Sequence, residues 1–284
     1  MSISSNTNKA EGYQRNSCFQ REDGKRFIHH EVTPRLGDAV LDLGCGTGEL
    51  SVYLAELVGQ NGEVIGVDPD IDRLKLAQVS HQEVNNATFV EGSTDGFPGM
   101  GSETYDIIFS HYVLHWVPDK EKAFKNMFSS LKPNGKIALQ YNDHVPTLNV
   151  RAYHELNSEN VDRILDAYYL KARPVIEDMC TAAGFSILKS WEVCRSDREL
   201  DNGESLCSFL WVTTNGAFDP RLATEERLER FCGRYSDGKN APITFFADEG
   251  DSHCALIAAK ALKQQKHADY MQLEQEKRAT DVPD

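Results

Sequence analysis

Val40-Leu-Asp-Leu-Gly-Cys-Gly-Thr-Gly-Glu49 is the stretch whose reading decides the fold. A short apolar run ends near Asp42, glycines follow at 44, 46 and 48, and helix-forming residues begin at Glu49. Glycines in such a loop permit positive φ and let a ligand lie directly against backbone. A loop of this kind sits at the carboxyl end of a first strand, where doubly wound sheets bind ligands. The spacing departs from the dinucleotide pattern G-x-G-x-x-G. Counted from Gly44, the third glycine falls on Glu49, and counted from Gly46 it falls on Ser51. A glutamate at the helix start also repels a pyrophosphate, which favours the positive end of the helix dipole. A ligand with a ribose but no phosphates fits better. Asp68 closes the next apolar run, Val64-Ile-Gly-Val-Asp68, 24 residues after Gly44. There a carboxylate offers two acceptor oxygens to the two hydroxyl donors of a ribose.

Outward from these two motifs the chain alternates. Apolar runs at 39–43, 64–67, 87–90, 105–109 and 136–140 predict strands, with helices over 50–58, 72–81 and 120–131 between them. Continuous apolar strands alternating with helices signal a parallel sheet covered on both faces, an α/β fold. Pro133-Asn-Gly135 reads as a turn that stops the last of these helices before its strand. Residues 13–32 read as a helix broken near Gly24 and halted at Thr33-Pro34. Beyond Asn142 the rhythm changes to a polar and aromatic segment, a helix over 174–183, a strand over 185–193 and a final apolar run at 253–258. The interval 195–251 reads either as a cap over the site or as a surface insertion with its own small core. The expected organisation is a tail and helical lid over 1–35, a main domain over 36–275 and a polar tail over 276–284.

The chain of 284 residues carries 30 Lys and Arg against 44 Asp and Glu, a net charge of −14. That balance argues against a nucleic-acid binder, whose affinity comes largely from Lys and Arg. No apolar run is long enough to span a membrane. Met1–Asn8 is polar and does not read as a secretory signal. Seven widely spaced cysteines without a C-x-x-C pair read as free thiols in a cytoplasmic protein. No His, Cys or acidic spacing suggests a metal.

D-L-G-C-G-T-G followed by V-I-G-V-D-P resembles the class I S-adenosylmethionine-dependent methyltransferases, strongly over 36–142 and weakly beyond. The resemblance implies a Rossmann-like sheet of seven strands, mostly parallel, with the last strand antiparallel. It implies S-adenosylmethionine as cofactor, with Gly44 and Gly46 along its methionine part and Asp42 holding its ammonium. Asp68 would take the ribose hydroxyls, Pro69 and Asp70 would border the adenine, and Ser110 would end the strand that faces the methyl group. Ser93 and Thr94 stand where the family often has an aspartate for the adenine amino group, a contact that Asp95 could supply instead.

After the fourth strand run comes Ser110-His-Tyr-Val-Leu-His-Trp-Val-Pro118. It lacks the [DNS]-P-P-[YFW] pattern of enzymes that methylate base amino groups. L-H-W-V followed by L-K-P-N-G is similar to carboxylate O-methyltransferases of the juvenile hormone acid type, and A-L-Q-Y-N-D resembles the trans-aconitate type. Tyr13, Gln20 and Asp23 reproduce the Y-x6-Q-x2-D spacing of the first group. The resemblance makes Gln20 and Trp116 the ligands of a small-molecule carboxylate. An amine or hydroxyl acceptor with His115, or less strongly His111, as base stays open, as does a cofactor-binding regulator without activity. Phe19, Tyr141, Phe209 and Trp211 are candidates for an apolar wall. Monomer and homodimer both remain compatible with the sequence.

Overall fold

The computed structural model describes residues 10, 12, 14, 18–194, 198–234, 243–245 and 252–260. Tyr13, the side chain of Phe19 and the 276–284 tail lie outside the described residues. Seven strands form one sheet: β1 (Ala39–Leu43), β2 (Glu63–Asp68), β3 (Ala87–Glu91), β4 (Tyr105–His111), β5 (Leu131–Tyr141), β6 (Phe185–Cys194) and β9 (Ser252–Lys260), in the order β3-β2-β1-β4-β5-β9-β6. The first five pair in parallel, and β9 runs antiparallel to both β5 and β6. The order reverses between β1 and β4, so their carboxyl ends flank the crevice where such sheets bind ligands.

Alternation along each strand builds two cores. Val40, Ile107, Phe109, Ala138 and Ile257 pack on one face against Phe27, Ile28 and Val32 and against Leu54 and Val58 of α2 (Glu49–Val58). Leu41, Ile108, Ile137, Leu139 and Leu256 pack on the other against Phe124 and Met127 of α4 (Lys120–Ser130) and Ile176 and Cys180 of α7 (Arg173–Ala182). Helix α3 (Ile71–Ser80) starts where the Asp70 carboxylate accepts from the amides of Asp72 and Arg73, and α4 where Asp119 accepts from Lys122.

Two expectations need correction. Gly24 does not break the first helix: α1 (Cys18–Phe27) runs through it and continues as a π-turn, Ile28–Val32. A Cβ at Gly24 would lie 2.5 Å from Leu50 Cδ1 and 3.3 Å from His111 Cε1, so the glycine serves close packing. Pro133-Asn-Gly135 does not separate helix from strand, because β5 already begins at Leu131. The register jumps from Tyr105↔Leu131 to Ile107↔Lys136, so these residues loop out of the strand, with Asn134 at φ 64°.

The described part of 195–251 holds β7 (Arg198–Leu200), α8 (Gly203–Thr213), α9 (Glu225–Cys232) and β8 (Ile243–Phe245), with β7 and β8 paired antiparallel. Its apolar residues, among them Leu206, Phe209, Leu210, Phe218 and Phe231, form a core with Ala152, Tyr153 and Leu156 of α5 (Thr147–Leu156) and Val161 and Ile164 of α6 (Val161–Asp166). The insertion therefore has its own core, shared with the segment after β5. It also reaches the main sheet's rim, where Arg73 Nη2 donates to Val212 O at 3.5 Å.

Candidate active site

The glycine loop is held by backbone before any ligand is considered. The amides of Gly44 and Cys45 donate to Val67 O at 2.8 and 2.9 Å, which ties the loop to the end of β2. Gly44, Gly46 and Gly48 have φ of 86°, 57° and 88°, a region that disfavours side chains. A Cβ on Gly44 would lie 2.2 Å from Val113 Cγ2, and one on Gly48 would lie 2.7 Å from the Phe89 ring. Helix α2 starts at Gly48 with no side-chain cap. Glu49 accepts from Thr47 Oγ1 at 2.6 Å and from Gln14 Nε2 at 3.0 Å, which brings the N-terminal segment onto the loop.

Two buried carboxylates flank the loop. Asp68 accepts from Gly46 N at 2.9 Å and from Asp70 N at 2.8 Å, one bond to each oxygen. Burial raises its pKa while Arg73 and these amides pull it down. With about four lone-pair positions on a carboxylate, each oxygen keeps one for a hydroxyl donor. Asp42 is fully buried and accepts from Ser51 Oγ at 2.5 Å. Burial pushes its pKa up to about 7, against the Ser51 hydrogen bond and with a further push from Asp68. Two buried acids with spare acceptor capacity, beside a loop that admits no side chains, fit a cationic ligand with a ribose. S-adenosylmethionine has both groups.

The other implied cofactor residues occupy the same rim. A cavity of about 550 Å³ opens against Pro69, Asp70, Ile71, Asp72, Lys75 and Asn215. Ser93 and Thr94 lie on the turn after β3, where Ser93 Oγ accepts from Asp95 N and Thr94 O accepts from Asn126 Nδ2. Asp95 is exposed and paired with Lys122 Nζ at 2.7 Å. Ser110 is buried, and its hydroxyl donates to Leu43 O at 2.7 Å, tying the ends of β1 and β4 together.

Past Ser110 the chain turns sharply. Tyr112 adopts φ 56°, its amide donates to Gln140 O at 2.7 Å, and a 3₁₀ turn, Leu114–Trp116, follows. His115 is buried and accepts from Asn142 N through Nδ1 at 3.4 Å. Trp116 is half-buried and stacks on Tyr168 at 4.5 Å, and among the described residues its indole N–H has no acceptor. Lys120 fastens this turn by donating to Val117 O and Tyr169 O, and its burial lowers its pKa to about 8. Gln20 is half-buried on α1, one turn before Asp23.

Sequence reading missed a polar cluster beside this turn. Asp23 Oδ2 accepts from Tyr112 Oη at 3.1 Å and Gln140 Nε2 at 3.2 Å, with His253 Nε2 at 3.3 Å and His111 Nε2 at 3.9 Å. Burial lowers the His111 pKa to about 4 although Asp23 pulls it up, so His111 is neutral at pH 7. The available signal was Gln140 and His253, polar residues within or at the edge of apolar strand runs. The expected apolar wall is not one surface. Tyr141 belongs to the main sheet's core, Phe209 to the insertion's core, and Trp211 packs half-buried against the latter. Among the described residues no set of three His, Cys, Asp or Glu side chains could hold a metal, and no helix is long and apolar enough to cross a membrane.

The model of the family described as a methyltransferase domain matches residues 35–184, more than half of the chain. The chain belongs to the class I S-adenosylmethionine-dependent methyltransferases. It is 28% identical over 198 residues to juvenile hormone acid O-methyltransferase of Bombyx mori, a match covering 63% of this chain and 69% of that one. It is 30% identical over 155 residues to the ubiquinone/menaquinone biosynthesis C-methyltransferase UbiE of Marinomonas sp. (strain MWYL1), covering 54% and 57%. The chain thus spans little more than half the length of this second relative. Among solved structures, the YcgJ protein from Bacillus subtilis has a TM-score of 0.56 at 19% identity, covering 85% of this chain and 99% of that one. Geranyl diphosphate methyltransferase in complex with SAM has a TM-score of 0.55 at 13% identity, covering 92% and 93%. These two likenesses concern the fold. The cofactor of this methyltransferase is S-adenosylmethionine.

Proposed function

We propose that this methyltransferase acts on a small carboxylic acid, forming a methyl ester. The observation that carries the reading is the Leu114–Trp116 turn beyond β4. It offers an indole N–H with no acceptor among the described residues, stacked in place on Tyr168. Beside it, His115 accepts the Asn142 amide at Nδ1. Neutral donors such as the Trp116 indole and the Gln20 amide can hold an anion without fully quenching it. Neither is a base of the kind that a hydroxyl or protonated amine would need.

A carboxylic acid, with a pKa of about 4, is already ionised at neutral pH and needs no base. Bound S-adenosylmethionine supplies an electrophilic methyl group on its sulfonium. The acceptor oxygen attacks that carbon in line, the C–S bond breaks, and the ester and S-adenosylhomocysteine leave without a covalent enzyme intermediate. The protein's part is to orient and desolvate, and orientation of this kind contributes roughly 7–11 kcal/mol. Trp116 and Gln20 are the proposed carboxylate ligands, which suit the task because an arginine would chiefly stabilise the ground state. The similarity to a juvenile hormone acid O-methyltransferase supports the acceptor class.

The test is a panel of carboxylic acids, amines and phenols screened for S-adenosylhomocysteine release. Turnover of acids, with a rate flat from about pH 6 to 8, is expected, and Trp116→Phe should raise the acceptor KM about tenfold. Turnover confined to amines, or a rate limb near pH ~6.5 typical of a histidine base, would overturn the reading. Cofactor binding with no turnover of any class would favour a regulator.

A further inference from the structure

Four polar side chains from three separate stretches of chain converge on Asp23 Oδ2: Tyr112, Gln140, His253 and His111. The Asp23 side chain is 19% exposed, and those of His111 and His253 are 5% and 2% exposed. An aspartate this far from water is tolerated when its oxygens are hydrogen-bonded, and a plain packing contact between helix and sheet needs none. Tyr112 is held at both ends, its amide on Gln140 O and its hydroxyl on Asp23, in a positive-φ conformation unusual for a residue with a side chain. That reversal lays Val113 on Gly44 of the cofactor loop and leads directly into the turn that carries Trp116. On the other partner, Gln20 precedes Asp23 by three residues, which places both on one face of α1. The Asp23–Tyr112 bond is therefore a short mechanical link between the two proposed carboxylate ligands.

We propose that Asp23 is a positioning residue, clasping α1 to the ends of β4 and β5 through Tyr112 and Gln140 and so fixing Gln20 and the Trp116 turn relative to each other. The inference rests on the acceptor reading above for what the two ligands hold, and on the hydrogen bonds alone for the clasp.

The experiment uses the full chain. Asp23→Asn, Asp23→Ala and Tyr112→Phe are compared with wild type by amide exchange of residues 18–32, by calorimetric S-adenosylmethionine affinity, and by kcat and KM for the acid turned over best in the panel. Exchange in α1 should accelerate about tenfold, and the acceptor KM should rise about 10- to 100-fold, with cofactor affinity changed less than about twofold. In the Asp23→Asn/Trp116→Phe double variant, the KM losses should combine to less than their product, because a missing N–H cannot be misplaced. Unchanged exchange, multiplicative losses, or a parallel fall in cofactor affinity would overturn the proposal. Tyr112→Phe keeps the ring and deletes the hydroxyl, so it decides the question if the Asp23 variants do not fold. If wild type turns over no acid, the acceptor reading fails, and the exchange measurement decides the clasp by itself.

Discussion

Asp42 stores a pH-dependent cost in the cofactor-free protein, and removing its charge should release it. Its carboxyl is fully buried, and its pKa is carried from 3.8 to about 7, chiefly by that burial. The folded chain then holds a proton that the unfolded chain has already lost between pH 3.8 and 7. Stability attributable to this group therefore falls as pH rises through that window and is flat above it. At 1.36 kcal/mol per unit, the full penalty is roughly 4 kcal/mol, of which roughly 2–3 kcal/mol develops between pH 5 and 8. Asp42→Asn keeps the shape and an oxygen to accept from Ser51. Urea unfolding of wild type and variant without cofactor, at pH 5, 6, 7 and 8, should give a stability difference that grows in the variant's favour by that amount. The same variant should lose at least about tenfold in S-adenosylmethionine affinity if, as we propose, Asp42 is the counter-charge of the cofactor ammonium. In wild type, binding at pH 6 should release close to one proton, falling to about a tenth at pH 8, read from calorimetry in buffers of different ionisation enthalpy. A stability difference independent of pH, or binding without proton release at pH 6, would refute the placement of this charge.

Three glycine substitutions, one of them a control, test the packing. Gly44→Ala places a methyl 2.2 Å from Val113 Cγ2 at a φ of 86°, so it should abolish measurable cofactor binding and lower stability by about 1–3 kcal/mol. Gly96→Ala, whose Cβ meets nothing within 4 Å, is the control and should leave calorimetric affinity unchanged. Gly24→Ala separates two arguments of opposite sign. Helix propensity alone predicts a gain of about 0.5–1 kcal/mol, whereas a methyl 2.5 Å from Leu50 predicts a net loss of melting temperature. A rise would show that α1 can shift freely on α2.

How much of this was legible in the sequence follows from range. The β1 loop, Asp68 and the alternation of strands and helices depend on neighbours within a few residues or on a fixed period, and each stands where the residues suggested. Gly24 misled because a glycine's local preference is to break a helix, while its purpose here is a contact with Leu50, 26 residues away. Pro133-Asn-Gly135 misled because a turn signal cannot tell a strand's start from a bulge within it. The Asp23 cluster was illegible for a stronger reason. Asp23 lies 89 residues from Tyr112 and 117 from Gln140, and nothing local pairs an acid on one helix with a glutamine inside an apolar strand. Only the sheet order, with β9 inserted beside β5, brings His253 to the same point.

That cluster also bears on the difficulty that a net charge of −14 poses for the proposed anionic acceptor. The global field repels a carboxylate, so long-range steering cannot speed its arrival, and affinity must come from local donors. Asp23, linked to the Trp116 turn through Tyr112, has an oxygen engaged by Tyr112 and Gln140 with His253 beside it, which offsets its charge locally. The expected consequence is an association rate that rises with ionic strength, as screening weakens the overall repulsion, while a cationic acceptor would give the opposite slope. The sign of that salt dependence separates an acid from an amine without any assumption about which side chain touches it.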